Sequence, residues 1–151
     1  MVKYVAGNIF DSDVEALVNP VNCVGVMGAG LAKQFKQKYW KNYTMYSDAC
    51  KVNLVKTGHV LVCQINLYDN PKYIINFPTK DHWKAGSEME YISSGLDDLA
   101  NKIKVYSIKS IAIPPLGCGL GGLDWIKVKD LISEKLGAIS DCTDVLVYAP
   151  V

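Results

Sequence analysis

The chain has 151 residues, of which 50% are hydrophobic and 21% charged, a composition that predicts a single globular domain over residues 1–151. The formal net charge of +1 excludes a global field that drives the protein onto nucleic acid or an anionic membrane, so such contacts must be local. No apolar run approaches the roughly 18 residues of a membrane span. No signal-peptide core precedes the first strand pattern, so we expect a cytoplasmic protein without membrane contacts.

The predicted elements alternate between strands and helices along the chain. In order, they are strands over Val2–Ala6 and Ala16–Val18, a helix with Leu31, Phe35 and Tyr39 on one face, strands over His59–Ile65 and Tyr73–Phe77, a long helix, a strand over Ile111–Ile113, a last helix, and a strand over Val145–Tyr148. Such alternation within one domain predicts an α/β fold, a three-layer α/β/α sandwich around a mixed, largely parallel central sheet.

Capping signals mark the two later helices. Ser87 and Glu90 match a capping box at the start of the long helix. Its predicted buried face has apolar side chains three and four residues apart, at Met89, Ile92, Leu96, Leu99 and Ile103. Asp124 is the predicted N-cap of the last helix and Gly137 its end.

The cysteines point to neither a disulfide framework nor a metal site. The five are scattered along the chain without any Cys-x-x-Cys pair. We therefore expect reduced thiols, no bound metal and no cofactor.

Two glycine-rich segments each follow a predicted strand and precede a predicted helix, NCVGVMGAG over 22–30 and PPLGCGLGGLDW over 114–125. In open α/β sheets, ligands bind beyond the carboxyl ends of the strands. Backbone N–H groups at glycines and helix N-termini can hold phosphates there. A tight turn explains each segment alone, whereas two such loops at one sheet edge favour a diphosphate held from both sides.

The chain resembles a macrodomain, the ADP-ribose-binding fold, in four motifs: GNIF at 7–10, NPVNCVGVMGAGLAKQF at 19–35, IINFPTKDHW at 74–83 and IAIPPLGCGLGGLDW at 111–125. It most resembles the macrodomains of the DarG antitoxins, which are similar to the terminal ADP-ribose glycohydrolase macrodomains. The resemblance implies a protein that removes ADP-ribose from DNA bases modified by a DarT-type toxin. ADP-ribose, ADP-ribosylated single-stranded DNA and a DarT-type toxin are the implied partners of a monomeric protein.

The resemblance also implies roles for particular residues. Lys80 falls on the position of the catalytic lysine. The implied ligand contacts are Asn8 and Ile9 at adenine, Asn22 at the distal ribose, Gly28, Ala29 and Gly30 beside that ribose and the phosphates, and Gly117, Cys118, Gly119, Leu120 and Gly121 on the diphosphate loop.

Two positions depart from the family pattern. Asn8 stands where an aspartate is common, so the amide can accept from the adenine amine only without charge assistance. Gly121 stands where the terminal ADP-ribose glycohydrolases have an aspartate that cooperates with the lysine. We therefore expect a mechanism that does not use that pair.

The segment FPTKDHW, residues 77–83, is predicted to form a turn that brings Lys80 to the site. Lys80 could attack the anomeric carbon as a neutral amine, or stabilise the departing base as a cation, and the sequence leaves both routes open. His82 could relay a proton or serve only as a hydrogen-bonded structural residue. Trp83 is a candidate for stacking on a nucleobase, and Cys118 is expected to fill a small apolar space.

The segment KQFKQKYWKNY, residues 33–43, interleaves lysines with aromatic residues. Such a pattern suits stacking and phosphate contacts with single-stranded DNA, and it equally suits an amphipathic helix with a buried aromatic face. The sequence does not separate these two interpretations.

Three functions stay open at this point. The first is hydrolysis of the N-glycosidic bond between ADP-ribose and a DNA base. The second is a binding module that recognises ADP-ribose without turnover, and the third is a hydrolase of small derivatives such as the acetyl ester or the 1″-phosphate. Lys80 favours the first, because passive recognition needs no amine.

Overall fold

A computed structural model describes residues 2–151, in which six strands form one sheet. The strands are β1 (Val2–Val5), β2 (Ala16–Asn22), β3 (Leu61–Gln64), β4 (Tyr73–Lys80), β5 (Ser110–Ile113) and β6 (Asp144–Tyr148). Their order across the sheet is β1-β6-β5-β2-β4-β3. All neighbouring pairs are parallel except the edge strand β3, which is antiparallel to β4. The predicted mixed, largely parallel sheet is confirmed.

Helices cover both faces of this sheet. They are α1 (Gly30–Lys38), α2 (Trp40–Lys51), α3 (Met89–Val105) and α4 (Trp125–Leu136), with short 3₁₀ turns at Ile9–Asp11 and Ile139–Asp141. The apolar faces of α3 and α4 pack in one core cluster with side chains from β2, β4, β5 and β6. α1 and α2 contribute to two separate clusters with other side chains of the sheet. The predicted three-layer sandwich is therefore confirmed. No helix within residues 2–151 has the length and apolar character needed to cross a membrane.

Burial on both faces explains the apolar runs of the central strands. In β4, Ile75 and Phe77 pack in the cluster that contains α3, while Ile74 packs in the cluster that contains α1. α3 lies close to β4 at Gly95, where an added Cβ atom would be 2.3 Å from Phe77 Cζ. The glycine thus allows the helix to lie directly on the strand that ends in Lys80.

The capping signals are correct for one helix and wrong for the other. The Asp124 side chain accepts a hydrogen bond from Ile126 N at 3.0 Å, and Gly137 follows α4 as its C-cap, as predicted. The predicted Ser87–Glu90 capping box is wrong, because α3 has Glu88 as its N-cap without a side-chain capping bond. Ser87 instead donates its backbone N–H to Gly121 O at 3.1 Å, which ties it to a glycine loop.

Strands β2 and β4 both run further than predicted. The structure places Lys80 as the last residue of β4, opposite Asn22 of β2, so the predicted turn at this point is wrong. Pro78 and Thr79 end the apolar run in sequence, yet both are buried inside the strand. The helix predicted on Leu31, Phe35 and Tyr39 ends at Lys38, and α2 follows after Tyr39.

Candidate active site

One cavity of about 870 Å³ lies where the parallel strands end. Its walls come from the segments at and after the carboxyl ends of five strands: Gly7, Asn8 and Ile9 after β1, Asn22, Val26 and Gly28–Gly30 at and after β2, Lys80 and Trp83 at and after β4, Pro114, Pro115, Gly117 and Gly119–Gly121 after β5, and Tyr148–Val151 at and after β6. This volume is within the usual range for a nucleotide-sized ligand.

Asn8 and Ile9 form one end of the cavity. Phe10 N donates to Asn8 Oδ1 at 3.0 Å, so the side chain caps the short 3₁₀ turn that follows. The amide is thereby held in place with its NH₂ group available as a donor. The Phe10 ring packs on Phe35 of α1 with ring centroids 4.8 Å apart, which fixes this end against the helix layer.

Asn22 organises the first glycine-rich loop. Its Oδ1 atom accepts from Val24 N at 3.1 Å and from Val26 N at 3.3 Å, and its Nδ2 atom donates to Val26 O at 2.8 Å. The side chain therefore folds the loop around itself while lining the cavity. Gly30 has φ +58°, a left-handed conformation that favours glycine at the start of α1.

The second glycine-rich loop is closed on itself by backbone bonds. Leu123 N donates to Gly117 O at 2.9 Å, and Gly122 N donates to Gly119 O at 3.1 Å. A Cβ atom built on Gly121 would lie 2.2 Å from Ser87 Oγ and 2.5 Å from Gly117 O, whereas one built on Gly119 would meet nothing within 4 Å. The loop thus has no room for a side chain at Gly121, which is where the terminal ADP-ribose glycohydrolases have their aspartate.

Lys80 lies half-buried in the cavity wall at the end of β4, next to Asn22 and the start of the first loop. Its Nζ atom donates a long hydrogen bond to Trp83 O at 3.5 Å. Directly beyond the strand, Cys23 N donates to Asp81 O at 3.1 Å, so the ends of β2 and β4 stay joined past their last strand pair. The fold therefore holds the lysine on a strand end.

Trp83 lines the cavity next to Lys80 and is 49% exposed. Lys84 Nζ lies 5.0 Å from the centre of the Trp83 ring system, a cation–π distance. His82 is not among the lining residues, and its Nδ1 atom accepts from Lys84 N at 3.1 Å. In this structure His82 therefore supports the turn, and the proton relay stays a prediction.

Cys118 lies between two lining glycines without lining the cavity itself. Its side chain packs against the core cluster that contains α3 and α4, in agreement with the expectation that it fills an apolar space. Burial, with a smaller contribution from Asp124, raises the pKa of the Cys118 thiol to about 11. A protonated thiol that packs against the core is a poor nucleophile, whereas the predicted contact of Cys118 with the ligand stays a prediction.

The structure therefore brings together every predicted ligand-binding residue except Cys118, and it adds others that the sequence did not indicate. Gln34 of α1 and Tyr148 at the end of β6 both line the cavity. The rule that ligands bind at the carboxyl ends of strands was the available signal for Tyr148. Within residues 2–151, no group of three or more histidine, cysteine, aspartate or glutamate side chains is arranged to hold a metal ion.

The lysine- and aromatic-rich segment 33–43 spans the junction of α1 and α2. Phe35 is fully buried and Tyr43 is half-buried beneath Lys36, whose Nζ atom lies 4.5 Å from the ring centre. These residues behave as the amphipathic-helix interpretation predicts. Trp40, by contrast, is 72% exposed, so part of the segment presents an aromatic side chain beside lysines at the surface.

The fold and the site together define an α/β domain with a nucleotide-sized cavity that is lined by two glycine-rich loops. Residues 18–132 match the Macro domain family, and the chain belongs to that family. It is 47% identical over 150 residues to a protein of Mycobacterium tuberculosis named DNA ADP-ribosyl glycohydrolase, and 48% identical over 151 residues to one of that name from Thermus aquaticus. These alignments cover 99% and 100% of this chain, and 42% of each relative.

Two solved structures also have the same fold as this chain. The macrodomain of Mycobacterium tuberculosis DarG superimposes with a TM-score of 0.97 at 46% identity, covering 100% of this chain and 99% of that one. DarTG of Thermosipho africanus in complex with ADP-ribose superimposes with a TM-score of 0.91 at 35% identity, covering 99% of this chain and 42% of the other. The likeness therefore extends over nearly all of this chain.

Proposed function

We propose that this chain is an ADP-ribosyl hydrolase that removes ADP-ribose from modified DNA bases, as an antitoxin-like activity against a DarT-type toxin. The observation that carries the proposal is Lys80, held on a strand end in the wall of a nucleotide-sized cavity between two glycine-rich loops. The names of the relatives support the choice of DNA as substrate. The reaction breaks the bond between the ribose anomeric carbon and the base nitrogen, with water supplying OH to the carbon and a proton to the base.

ADP-ribose is proposed to lie along the cavity with its adenine at Asn8 and Ile9. The Asn8 oxygen, which already accepts from Phe10 N, accepts from the adenine amine through its second lone pair, and the Asn8 NH₂ group donates to a ring nitrogen. The diphosphate lies against Gly28–Gly30 and Gly117–Gly121, where an absent Cβ at Gly119 leaves space for the phosphate oxygens. The distal ribose then reaches Asn22 and Lys80.

Lys80 acts on this ribose in one of two ways. As a neutral amine it attacks the anomeric carbon and forms a covalent intermediate that water later releases, and as an ammonium it stabilises the charge on the departing base. Neither route needs an aspartate at Gly121, where the loop has no room for a side chain. Orientation of the ribose by the two loops supplies part of the rate.

The rim of the cavity beside Lys80 supports a polymeric substrate. Val24, Val26, Trp83 and Leu120 are apolar and between 41% and 77% exposed. Three of them, Val26, Trp83 and Leu120, also line the cavity. Exposed apolar groups at the end of a site indicate that a further part of the ligand binds there, and Trp83 is suited to stack on a nucleobase. Modified DNA has bases to place on this rim, whereas a small acetyl ester has none.

The same proposal includes the setting in which the protein works. A DarT-type toxin is the functional partner, since it produces the modification that this chain removes. We also propose that the activity takes place in the cytoplasm and that the chain acts as a monomer.

A binding module without turnover is the second candidate, and Gly121 is the observation that favours it. The two-residue mechanism of the terminal ADP-ribose glycohydrolases has no counterpart in this loop, so Lys80 is present without the aspartate of that pair. Such a module would bind ADP-ribose through the same contacts and leave modified DNA unchanged.

A substrate comparison tests the proposal. The protein is incubated with ADP-ribosylated single-stranded DNA and, separately, with the acetyl ester of ADP-ribose, and free ADP-ribose is followed by chromatography. We expect release from the DNA and a much slower release from the ester. Binding of ADP-ribose without release from either substrate would establish the binding module, and preferential cleavage of the ester would establish the small-molecule hydrolase.

A further inference from the structure

Tyr46 of α2 is fully buried and is not among the residues that line the cavity. Its hydroxyl group donates toward both oxygens of Asn22, at 2.7 Å to the backbone O and 2.9 Å to Oδ1. Burial raises the pKa of this hydroxyl, so it stays protonated and acts as a donor. A buried tyrosine thus contacts the residue around which the first glycine-rich loop folds.

Asn22 in turn contacts two parts of the site, the backbone of the first glycine-rich loop and the strand end with Lys80. Its side chain holds the backbone of Val24 and Val26 through three hydrogen bonds. Its backbone pairs with Lys80, after a register irregularity between Val21 and Asn22. The Tyr46 hydroxyl therefore fixes an asparagine that determines both the shape of the loop and the position of the strand end with Lys80.

A second polar contact fixes α2 on the same strands. Asn42, one helical turn before Tyr46, exchanges two hydrogen bonds with Asn76 of β4, at 3.0 and 2.8 Å. Asn76 also accepts from Asn19 of β2 at 3.2 Å, and all three asparagines are fully buried. Hydrogen bonds of this kind specify one arrangement, because a shifted helix leaves buried amides unpaired.

We propose that Tyr46 is a positioning residue for the site, which acts through Asn22 on the loop 23–28 and on Lys80. The part that concerns Lys80 rests on the proposed hydrolysis, whereas the part that concerns the loop requires only that the cavity binds ADP-ribose. Asn42 and Asn76 hold α2 in the position from which Tyr46 reaches Asn22. Helix α2, which the sequence patterns did not predict, thus supports the site.

Tyr46→Phe tests this inference, since it removes one hydroxyl and keeps the buried ring. We expect ADP-ribose affinity by calorimetry to fall roughly five- to ten-fold, the loss of one buried hydrogen bond. The amide protons of Val24 and Val26 should exchange with solvent at least about ten-fold faster by NMR, while those of β6 keep their rates. Turnover of modified DNA at saturation should also fall.

Tyr43→Phe is the matched control, because Tyr43 lies on the same helix, is half-buried, and has a ring contact with Lys36. It should leave affinity and loop exchange unchanged. A double-mutant cycle with Asn22→Ala adds a stricter criterion: the two changes should be non-additive in ADP-ribose affinity if Tyr46 acts through Asn22. Additive effects would overturn the inference.

A purely structural role for Tyr46 gives a different result. The Tyr46→Phe protein would then melt earlier, yet bind ADP-ribose and exchange its loop amides at parental values well below that temperature. If the variant does not fold, amide hydrogen exchange in the native protein tests the inference instead. Exchange of the Val24 and Val26 amide protons at the rate of an exposed loop would contradict it. ADP-ribose affinity and amide exchange need no turnover, so failure of the proposed hydrolysis leaves this test intact.

Discussion

Substitutions at two glycines of the second glycine-rich loop are expected to affect stability and ligand binding separately, and Gly121→Ala is the clearest case for stability. A Cβ atom at this position would lie 2.2 Å from Ser87 Oγ and 2.5 Å from Gly117 O. The serine side chain can rotate away, but the Gly117 carbonyl belongs to the backbone, so the loop itself must move. Forced overpacking of this kind costs about 1–3 kcal/mol. For a chain of this length, that corresponds to a fall in Tm of roughly 2–12 °C.

Gly119→Ala is the control on the same loop, since its added Cβ meets nothing within 4 Å and should leave Tm unchanged. Gly119→Glu should also fold, but it should abolish ADP-ribose binding, because its side chain occupies the phosphate path and adds like charge. Thermal unfolding by circular dichroism and calorimetric titration with ADP-ribose measure the two effects. Equal Tm values for Gly121→Ala and Gly119→Ala, or parental affinity in Gly119→Glu, would refute the reasoning.

Three further results are expected. If the lysines in segment 33–41 contact the DNA strand, the affinity for modified DNA should fall more steeply with added salt than the affinity for ADP-ribose alone. Equal salt slopes for the two ligands would show that DNA does not contact that surface. Trp83→Ala should weaken binding of modified DNA about ten-fold while ADP-ribose affinity stays at the parental value, and equal losses for both ligands would argue against base stacking. Burial raises the pKa of Cys23 to about 11, so its alkylation should be slow at pH 8 and rise about ten-fold per pH unit up to pH 10. Mass spectrometry should show exposed Cys142 modified first, and faster modification of Cys23 would contradict this.

The sheet could be predicted from sequence because its strands are buried on both faces. Residues such as Ile74 and Ile75 point to opposite helix layers, so the run is apolar throughout and stands out from its surroundings. The end of β4 could not be predicted in the same way. Pro78 and Lys80 are poor strand signals, and their place in the strand depends on pairing with β2, a contact between distant parts of the chain.

Most of the site could be predicted because glycine loops after strands have a direct structural meaning. The exceptions depend on side-chain direction, which spacing within an irregular loop does not specify. Cys118 turns to the core while Gly117 and Gly119 line the cavity. Tyr46 and Asn42 were missed because polar residues on a helix are usually solvent-exposed, and only the fold shows that these two are buried against the sheet.

The most direct test of the account measures release of ADP-ribose from modified single-stranded DNA by Lys80→Ala and Lys80→Arg proteins. We expect Lys80→Ala to lose on the order of 100-fold or more in rate, the usual contribution of a group of this type, while it keeps its fold and most of its ADP-ribose affinity. Loss of activity in both variants would favour attack by the amine, and activity retained in Lys80→Arg would favour stabilisation by charge, since a guanidinium is not a nucleophile in proteins. Release at the parental rate by Lys80→Ala would contradict the central claim that Lys80 carries the reaction.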